Sequence, residues 1–449
     1  MFKRTYFLAL IVSLLSSFAH AYETYFSPVD DLENIFVEKF KTAKKSIDLS
    51  IYTFSSTKVR DILLERMKEG VKVRLIINEG DDEAVRLFAK PLQEAGASAR
   101  WVNETNHHKF AVIDSDRLVN SSGNLSGSAG SKKYDENLVF CDDCATLVDA
   151  FESEFEALNK VSNLIGEKND VDGIEAGQDK KAVHKNFENA LFTSSNFKPK
   201  FDAKRQRISF TNFESDDGTG KVDRVLIDAI SQAKEEVLVA TGHFRSKPLF
   251  DALKAAVARG VHVVVVSDGQ EYVSKMGAKK QQEKLKECMK THTEVECSES
   301  GLMFSRLLAD AGIEMHLKYY SFVWNFVYAP QMHHKYMIVD RTTVYSGSYN
   351  WSYNAEYQSF ENVAIYEGPE MKELIASYIQ NFETILAYGG GSKDFEKTLS
   401  TLQDLKGEMP LHFSPITLTV SEVERYIAVA FKKCPKLFEI GRTEKTCKL

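Results

Sequence analysis

The chain has 449 residues, 64 acidic against 57 basic, with a formal charge of −7. Its apolar fraction of 43% and charged fraction of 27% are those of an ordinary globular protein with room for a sizeable core and two or three domains. The acidic balance repels nucleic acid at long range, which argues against a generic DNA or RNA binder but leaves room for a local basic groove.

The first 21 residues read as an export signal. Lys3 and Arg4 form a basic start, residues 7–15 an apolar run, and Ala19-His20-Ala21 a small-residue cleavage site. The run is too short to span a bilayer, and no cysteine follows Ala21 to carry a lipid. The expected product starts at Tyr22 and is secreted or periplasmic. Six cysteines remain, in three close pairs: Cys141 with Cys144, Cys288 with Cys297, and Cys434 with Cys447. An oxidising compartment makes three local disulfides the simplest arrangement. The first pair, in CDDC, has no second Cys/His pair at zinc spacing and no redox pattern around it.

Residues 43–78 then align without a gap on residues 233–268. Ala43, Lys44, Phe54, Ser56, Leu63, Gly70, Val71 and Val73 each meet the same residue 190 positions later. Both copies read as a β-rich run (47–53; 237–241) followed by a helix. The helix carries apolar positions Val59, Ile62, Leu63 and Met67, or Leu249, Leu253, Ala256 and Val257. Gly70 or Gly260 ends it, and a buried strand follows. Strand–helix–strand predicts parallel pairing and an α/β sheet in each half. The expected organisation is a signal peptide (1–21), a first domain (22–160), a polar linker (161–204) with one short helix over 182–191, and a second domain (205–390). The second copy carries extra residues at 270–305 and an aromatic run, YYSFVWNFVY, at 319–328. An extension over 391–449 follows GGGS and carries no motif.

The chemistry lies in a second repeat. HHKFAVIDSDRLVNSSGN gives His107, Lys109, Asp114, Ser121, Ser122 and Asn124; HHKYMIVDRTTVYSGSYN gives His333, Lys335, Asp340, Gly347, Ser348 and Asn350 at identical spacing. A glutamate follows each, Glu136 and Glu361. On a strand, His and Lys at i and i+2 share one face, so imidazole and ammonium point together. That pair suits a phosphoryl group: a nucleophile or proton donor beside a fixed positive charge. The Gly/Ser-Ser-x-Asn turn adds hydroxyl, amide and backbone N–H groups that can hold phosphate oxygens. A lone HHK is usually a wet loop, and a lone aspartate usually caps a turn. Two copies at one spacing inside two copies of one supersecondary unit are not explained that way.

On these residues the chain resembles the phospholipase D superfamily over nearly all of residues 22–390. The resemblance implies two tandem α/β sandwich domains packed as an intrachain pseudo-dimer with one shared active site, in a monomer, with no cofactor and no metal. It implies that His107 attacks phosphorus and forms a phosphohistidine, while His333 protonates the leaving alcohol and then activates water. Lys109, Lys335, Asn124 and Asn350 would bind the phosphoryl oxygens, with the Ser122 and Ser348 turns beside them. Glu136 and Glu361 would orient the imidazoles, Asp114 and Asp340 would brace the motifs, and His108 and His334 would point away. Ser121 departs from the family's usual glycine, which would strain that turn if it needs positive φ. His243, at the end of a predicted strand, is a candidate for the site mouth.

The substrate is less determined. An acidic exported chain with aromatics at Tyr320, Trp324 and Phe326 suits a phospholipid at a membrane surface. The same aromatic run can equally be a buried strand. The opening residues also look like the secreted endonuclease and cardiolipin-hydrolase-like branch, and Trp101 and Trp351 could stack bases, so nucleic acid is the alternative substrate.

Overall fold

The computed structural model describes residues 22–78, 85–126, 133–165, 182–202, 204, 207–212, 221–269, 283–293, 296–297, 304–323, 327–441 and 443–449. The export signal, most of the 270–305 insertion, and Trp324 and Phe326 lie outside them.

Two eight-stranded sheets carry the chain. The first contains β1 (Tyr22–Phe26), β2 (Ser46–Ile51), β3 (Lys72–Asn78), β4 (Ser98–Val102), β5 (Lys109–Ile113), β6 (Arg117–Ser121), β7 (Asn137–Asp142) and β8 (Asn163–Leu164), in the order β1-β7-β6-β5-β2-β3-β4-β8. The second contains β9 (Ala190–Phe192), β10 (Glu236–Thr241), β11 (His262–Asp268), β12 (Glu314–Ser321), β13 (Lys335–Val339), β14 (Thr343–Gly347), β15 (Asn362–Glu367) and β16 (His412–Thr419). Its order, β9-β15-β14-β13-β10-β11-β12-β16, repeats the first strand for strand. The central β2–β3 and β10–β11 pairs are parallel, as the strand–helix–strand pattern predicts. Each motif strand, β5 or β13, runs antiparallel beside them, which puts His107 and His333 at the carboxyl end of the parallel strands.

Periodicity decides which side each strand buries. Ile47, Leu49 and Ile51 face outward onto α1 (Leu32–Lys41) and α2 (Thr57–Lys68), with Val59, Ile62 and Leu63 in the same cluster. Val237, Val239 and Val263 pack likewise with α4 (Lys221–Gln232) and α5 (Lys247–Ala258). The inner faces share a third cluster: Phe110, Val112 and Ile76 from the first half meet Leu238, Tyr336 and Ile338 from the second. Between them lie α3 (Ala145–Lys160) and α6 (Lys372–Leu386), giving Phe151, Phe155, Tyr378 and Phe382. Gly70 and Gly260 end their helices at φ 92° and 89°, where a Cβ is disfavoured.

Several expectations are corrected. No helix forms over 182–191; Ala190–Phe192 pairs antiparallel with β15 as the outer strand of the second sheet, so this sheet begins inside the expected linker. The first three residues of the aromatic run continue β12. Tyr320 is buried with its hydroxyl on Asp268, so it cannot reach a bilayer. The expected extension is not a separate appendage. It supplies β16, α7 (Phe395–Asp404) and α8 (Val420–Lys433), and Met409, Leu411, Leu418 and Val423 complete the second core. All three predicted cysteine pairs are bonded. Cys288, His292 and Cys297 form the one three-ligand grouping with metal-binding geometry among the described residues, but its two cysteines are joined to each other. No helix of the described residues is long and apolar enough to cross a membrane.

Candidate active site

The two motifs meet across the interface, and they cross. His107 Nδ1 lies 2.8 and 2.9 Å from the carboxylate oxygens of Glu361, in the other half. His333 Nδ1 lies 2.6 Å from Glu136 Oε1, again in the other half. The backbone makes the same exchange: His107 N–H donates to the Phe360 carbonyl and His333 N–H to the Asp135 carbonyl, both at 3.0 Å. With Nδ1–H given to a carboxylate, Nε2 is the ring nitrogen left for chemistry.

The lysines are almost completely buried beside them. Lys109 Nζ donates to the His107 carbonyl at 2.6 Å and Lys335 Nζ to the His333 carbonyl at 2.7 Å. Burial lowers Lys109 to about 7 and Lys335 to about 8, against the pull of Glu136 and Glu361. Burial, reinforced by Lys109 and Lys335, holds His107 well below its ordinary value, and a hydrogen bond with the Ser348 backbone only partly opposes them. Burial also lowers His333, although Glu136 opposes it. The glutamates differ. Burial raises Glu361 to about 7 despite Lys109. Burial pushes Glu136 the same way, but His333, Lys335 and Ser122 outweigh it and leave it below the ordinary value.

The turn residues divide. Asn124 and Asn350 each keep a buried side-chain oxygen with no protein partner, so neither amide is spent on the scaffold. The Ser122 and Ser348 hydroxyls, expected beside phosphate, are committed instead. Ser122 donates to Glu136 at 2.7 Å and accepts from Asn137 N–H at 2.9 Å; Ser348 accepts from Asn362 N–H at 3.0 Å and hydrogen-bonds Glu361. They hold the glutamates. Ser121 is not at positive φ, so the strain expected of it is absent; its hydroxyl donates to the Asn137 carbonyl at 2.8 Å. In the second half that position must be Gly347, because a Cβ there would lie 2.2 Å from the Asn362 carbonyl oxygen.

Asp114 and Asp340 lie at the far ends of the motif strands. Asp114 accepts the N–H groups of Lys44, Lys45 and Ser46, and Asp340 those of Lys234, Glu235 and Glu236. His108 and His334 are buried and turned from Lys109 and Lys335, yet they also cross: His108 meets Asn362 at 3.1 Å and His334 meets Asn137 at 3.0 Å. His243 is half-buried and follows Gly242, where an added Cβ would lie 3.7 Å from the His333 ring. Trp351 is buried in the second core against Phe244, which removes it as a base-stacking surface.

Sequence reasoning missed a clamp. Ser27 and Thr193, each just after the first strand of its half, accept the backbone N–H of Glu136 and Glu361 and donate N–H to the same residues' carbonyls. The shared Phe-Ser and Phe-Thr pairs, 26–27 and 192–193, were the available signal. It also missed Tyr52 and Tyr134, whose rings lie 4.9 and 5.9 Å from those of His107 and His333.

The model of the cardiolipin synthase, PLD-like domain family matches residues 36–159 and 226–386, more than half of the chain and both motifs. The chain belongs to this family. The mitochondrial cardiolipin hydrolase of Xenopus laevis is 33% identical over 118 residues, which is 26% of this chain and 55% of that protein. Cardiolipin synthase 1 of Bacillus anthracis is 31% identical over 97 residues, 18% of this chain and 19% of that protein. The match thus spans about half the length of the first of these and less of the second. Among solved structures, phosphatidylserine synthase of Haemophilus influenzae Rd KW20 shares the fold at TM-score 0.53 and 14% identity, covering 81% of this chain and 86% of that one.

Proposed function

We propose that this PLD-like protein is an exported, monomeric phosphodiesterase that hydrolyses phospholipid head groups through a phosphohistidine. The crossing of His107 on Glu361 and His333 on Glu136 carries the reading, because it fixes both imidazoles at one interface, where His333, Lys109 and Lys335 are all near enough to act on His107. His107 Nε2 attacks phosphorus; the bond to the head-group oxygen breaks as His333 gives that oxygen a proton. His333 then takes a proton from water, whose oxygen displaces the histidine and releases phosphatidate. Lys109 and Lys335, with the amides of Asn124 and Asn350, offset the charge on the phosphoryl oxygens. This positive charge comes from the chain itself, so the steps need no metal.

The unequal glutamates support the division of roles. Glu136, held below its ordinary value, draws His333 toward the charged form an acid needs, although burial still leaves His333 below its ordinary value. His107, held neutral by burial and two lysines, keeps the lone pair a nucleophile requires. The acidic balance and relatives named for cardiolipin chemistry favour lipid over nucleic acid. The leader-like first 21 residues and three disulfides favour an exported site of action.

The test offers protein from residue 22, in excess EDTA, mixed phospholipid vesicles and, separately, single- and double-stranded nucleic acid. Head group and phosphatidic acid that vanish with His107→Ala and with His333→Ala support the reading. Cut nucleic acid with intact lipid would overturn the substrate. No product from folded protein would leave a binding module.

A further inference from the structure

We propose that Glu154, acting through His108, is a positioning residue for the His107–Glu361 pair, and that the segment joining the two halves helps through His184 and Ser194. This rests on the phosphodiesterase reading above.

Glu154, on α3, is fully buried and meets three groups. Its Oε1 is 3.0 Å from His108 Nε2, and its Oε2 accepts the Ser194 hydroxyl at 2.7 Å and lies 2.8 Å from His184 Nδ1. His184 Nε2 is in turn 2.9 Å from the Ser153 hydroxyl. A carboxylate held this way accepts, so His108 carries a proton on Nε2. Its Nδ1 is then free to accept, and the Asn362 amide N–H stands 3.1 Å away. The same side-chain amide also reaches the Ser348 hydroxyl at 3.4 Å, the Asn362 backbone N–H donates to that hydroxyl at 3.0 Å, and Ser348 bonds Glu361. One chain of bonds therefore runs from Glu154 through His108, Asn362 and Ser348 to the carboxylate that holds His107.

The other half lacks it. His334 also reaches across, to Asn137, but among the described residues its Nε2 is buried and bonds no partner, carboxylate or other. A buried carboxylate is costly unless fully satisfied, and apolar packing would serve a core better. The buried carboxylate behind His333 is Asp135, which is held by Lys318 and Tyr388, so among the described residues a carboxylate bonds His108 but none bonds His334. A site whose two histidines do different work has a use for bracing one of them more firmly. The joining segment completes the brace: Thr193 clamps the Glu361 backbone, and the next residue, Ser194, holds Glu154.

The test is Glu154→Gln, which keeps the shape and removes the charge, in protein from residue 22 with 15N-labelled histidine. Ring resonances of His107 and His333 are assigned by their loss in His107→Asn and His333→Asn. In the parent protein His107 is expected as the Nδ1–H tautomer. In Glu154→Gln a mixture of tautomers is expected at His107 with His333 unmoved, and kcat lower by about tenfold with KM within about twofold. Ser194→Ala, which removes one donor, is expected to do the same more weakly and serves if Glu154→Gln does not fold. An unmoved His107 tautomer and unchanged kcat in a folded variant would overturn the proposal, even with a lowered Tm. The tautomer is read without substrate, so if the parent protein cleaves no phosphodiester the catalytic reading fails while the ring signals still decide the brace.

Discussion

Replacing Asp340 by alanine separates the two roles open to the aspartate of the repeated motif. Its carboxylate accepts three backbone N–H groups, from Lys234, Glu235 and Glu236, at 2.8–3.2 Å. It thereby fixes the entry into β10, while its own N–H donates to the Glu236 carbonyl at 2.8 Å. A hydrogen bond to a charged acceptor contributes about 1.5–3 kcal/mol, but this carboxylate is partly open to water, which replaces much of each bond in the variant. About 1 kcal/mol for each donor gives about 3 kcal/mol, which lowers the Tm of a domain of this size by about 6–12 °C. Burial pushes the carboxyl upward, but the three N–H groups outweigh it and leave it below the ordinary value. Its contribution is therefore present above the unfolded value of about 3.9 and lost as pH falls through the folded one, so parent and variant converge in acid. Calorimetry across pH, with kcat measured well below the transition, checks this. Asp114→Ala is expected to cost more, because Asp114 is more buried and also pairs with Arg117. An unchanged Tm with kcat abolished in Asp340→Ala would refute the bracing role and return the aspartate to the chemistry.

Three further outcomes are expected. With Lys109 lowered to about 7 and Lys335 to about 8, their charge is present below those values and lost above them, so kcat/KM should fall as pH rises through about 7–8; a profile that stays flat from pH about 6 to about 9 contradicts this. Lys318 and Asp135 form a buried ion pair at 2.6 Å across the halves. Lys318→Met should destabilise by about 3–5 kcal/mol in denaturant unfolding, and adding Asp135→Leu should restore most of it; equal losses in single and double variants would show that the charge is not the cause. Deleting residues 391–449 strips β16 from β12 and Met409, Leu411 and Val423 from the second core, so the shortened chain should be insoluble; a soluble, cooperatively folding product would show the extension to be dispensable.

Much of this was legible because the message is written twice. The 190-residue offset predicts both parallel pairs and both helices, since a strand's period of two and a helix's period of 3.6 are local properties. The motif predicts His107 with Lys109, and His333 with Lys335, on one face of a strand. What local pattern cannot carry is partnership over distance. Nothing near His107 indicates that its carboxylate is Glu361, or that the Ser122 hydroxyl is spent on Glu136. Nor does the polar, Asp/Lys-rich linker signal its end: Ala190–Phe192 is three residues long, too short for a period, and forms because β15 offers an open edge. Tyr320 and Trp351 could be read as exposed or buried, because composition does not say which side of a sheet a residue faces.

The crossing explains why two copies must act as one. Within a half, the histidine, lysine and glutamate of a motif are close in sequence, yet each glutamate serves the other half's histidine. A separated half would expose Lys109 with no Glu361, or Glu136 with no His333. The burial that shifts these groups is created by the shared cluster of Phe110, Leu238, Tyr336 and Phe382. Closing the interface and tuning the site are thus one event, since the same desolvation that lowers the lysines and raises Glu361 exists only when both sheets are packed. Geometry alone would leave the histidines equivalent. The difference comes from neighbours outside the motifs: Glu154 and His184 behind His107, and Asp135, Lys318 and Tyr388 behind His333. Duplication supplied the pair, and unequal surroundings make its two members inequivalent.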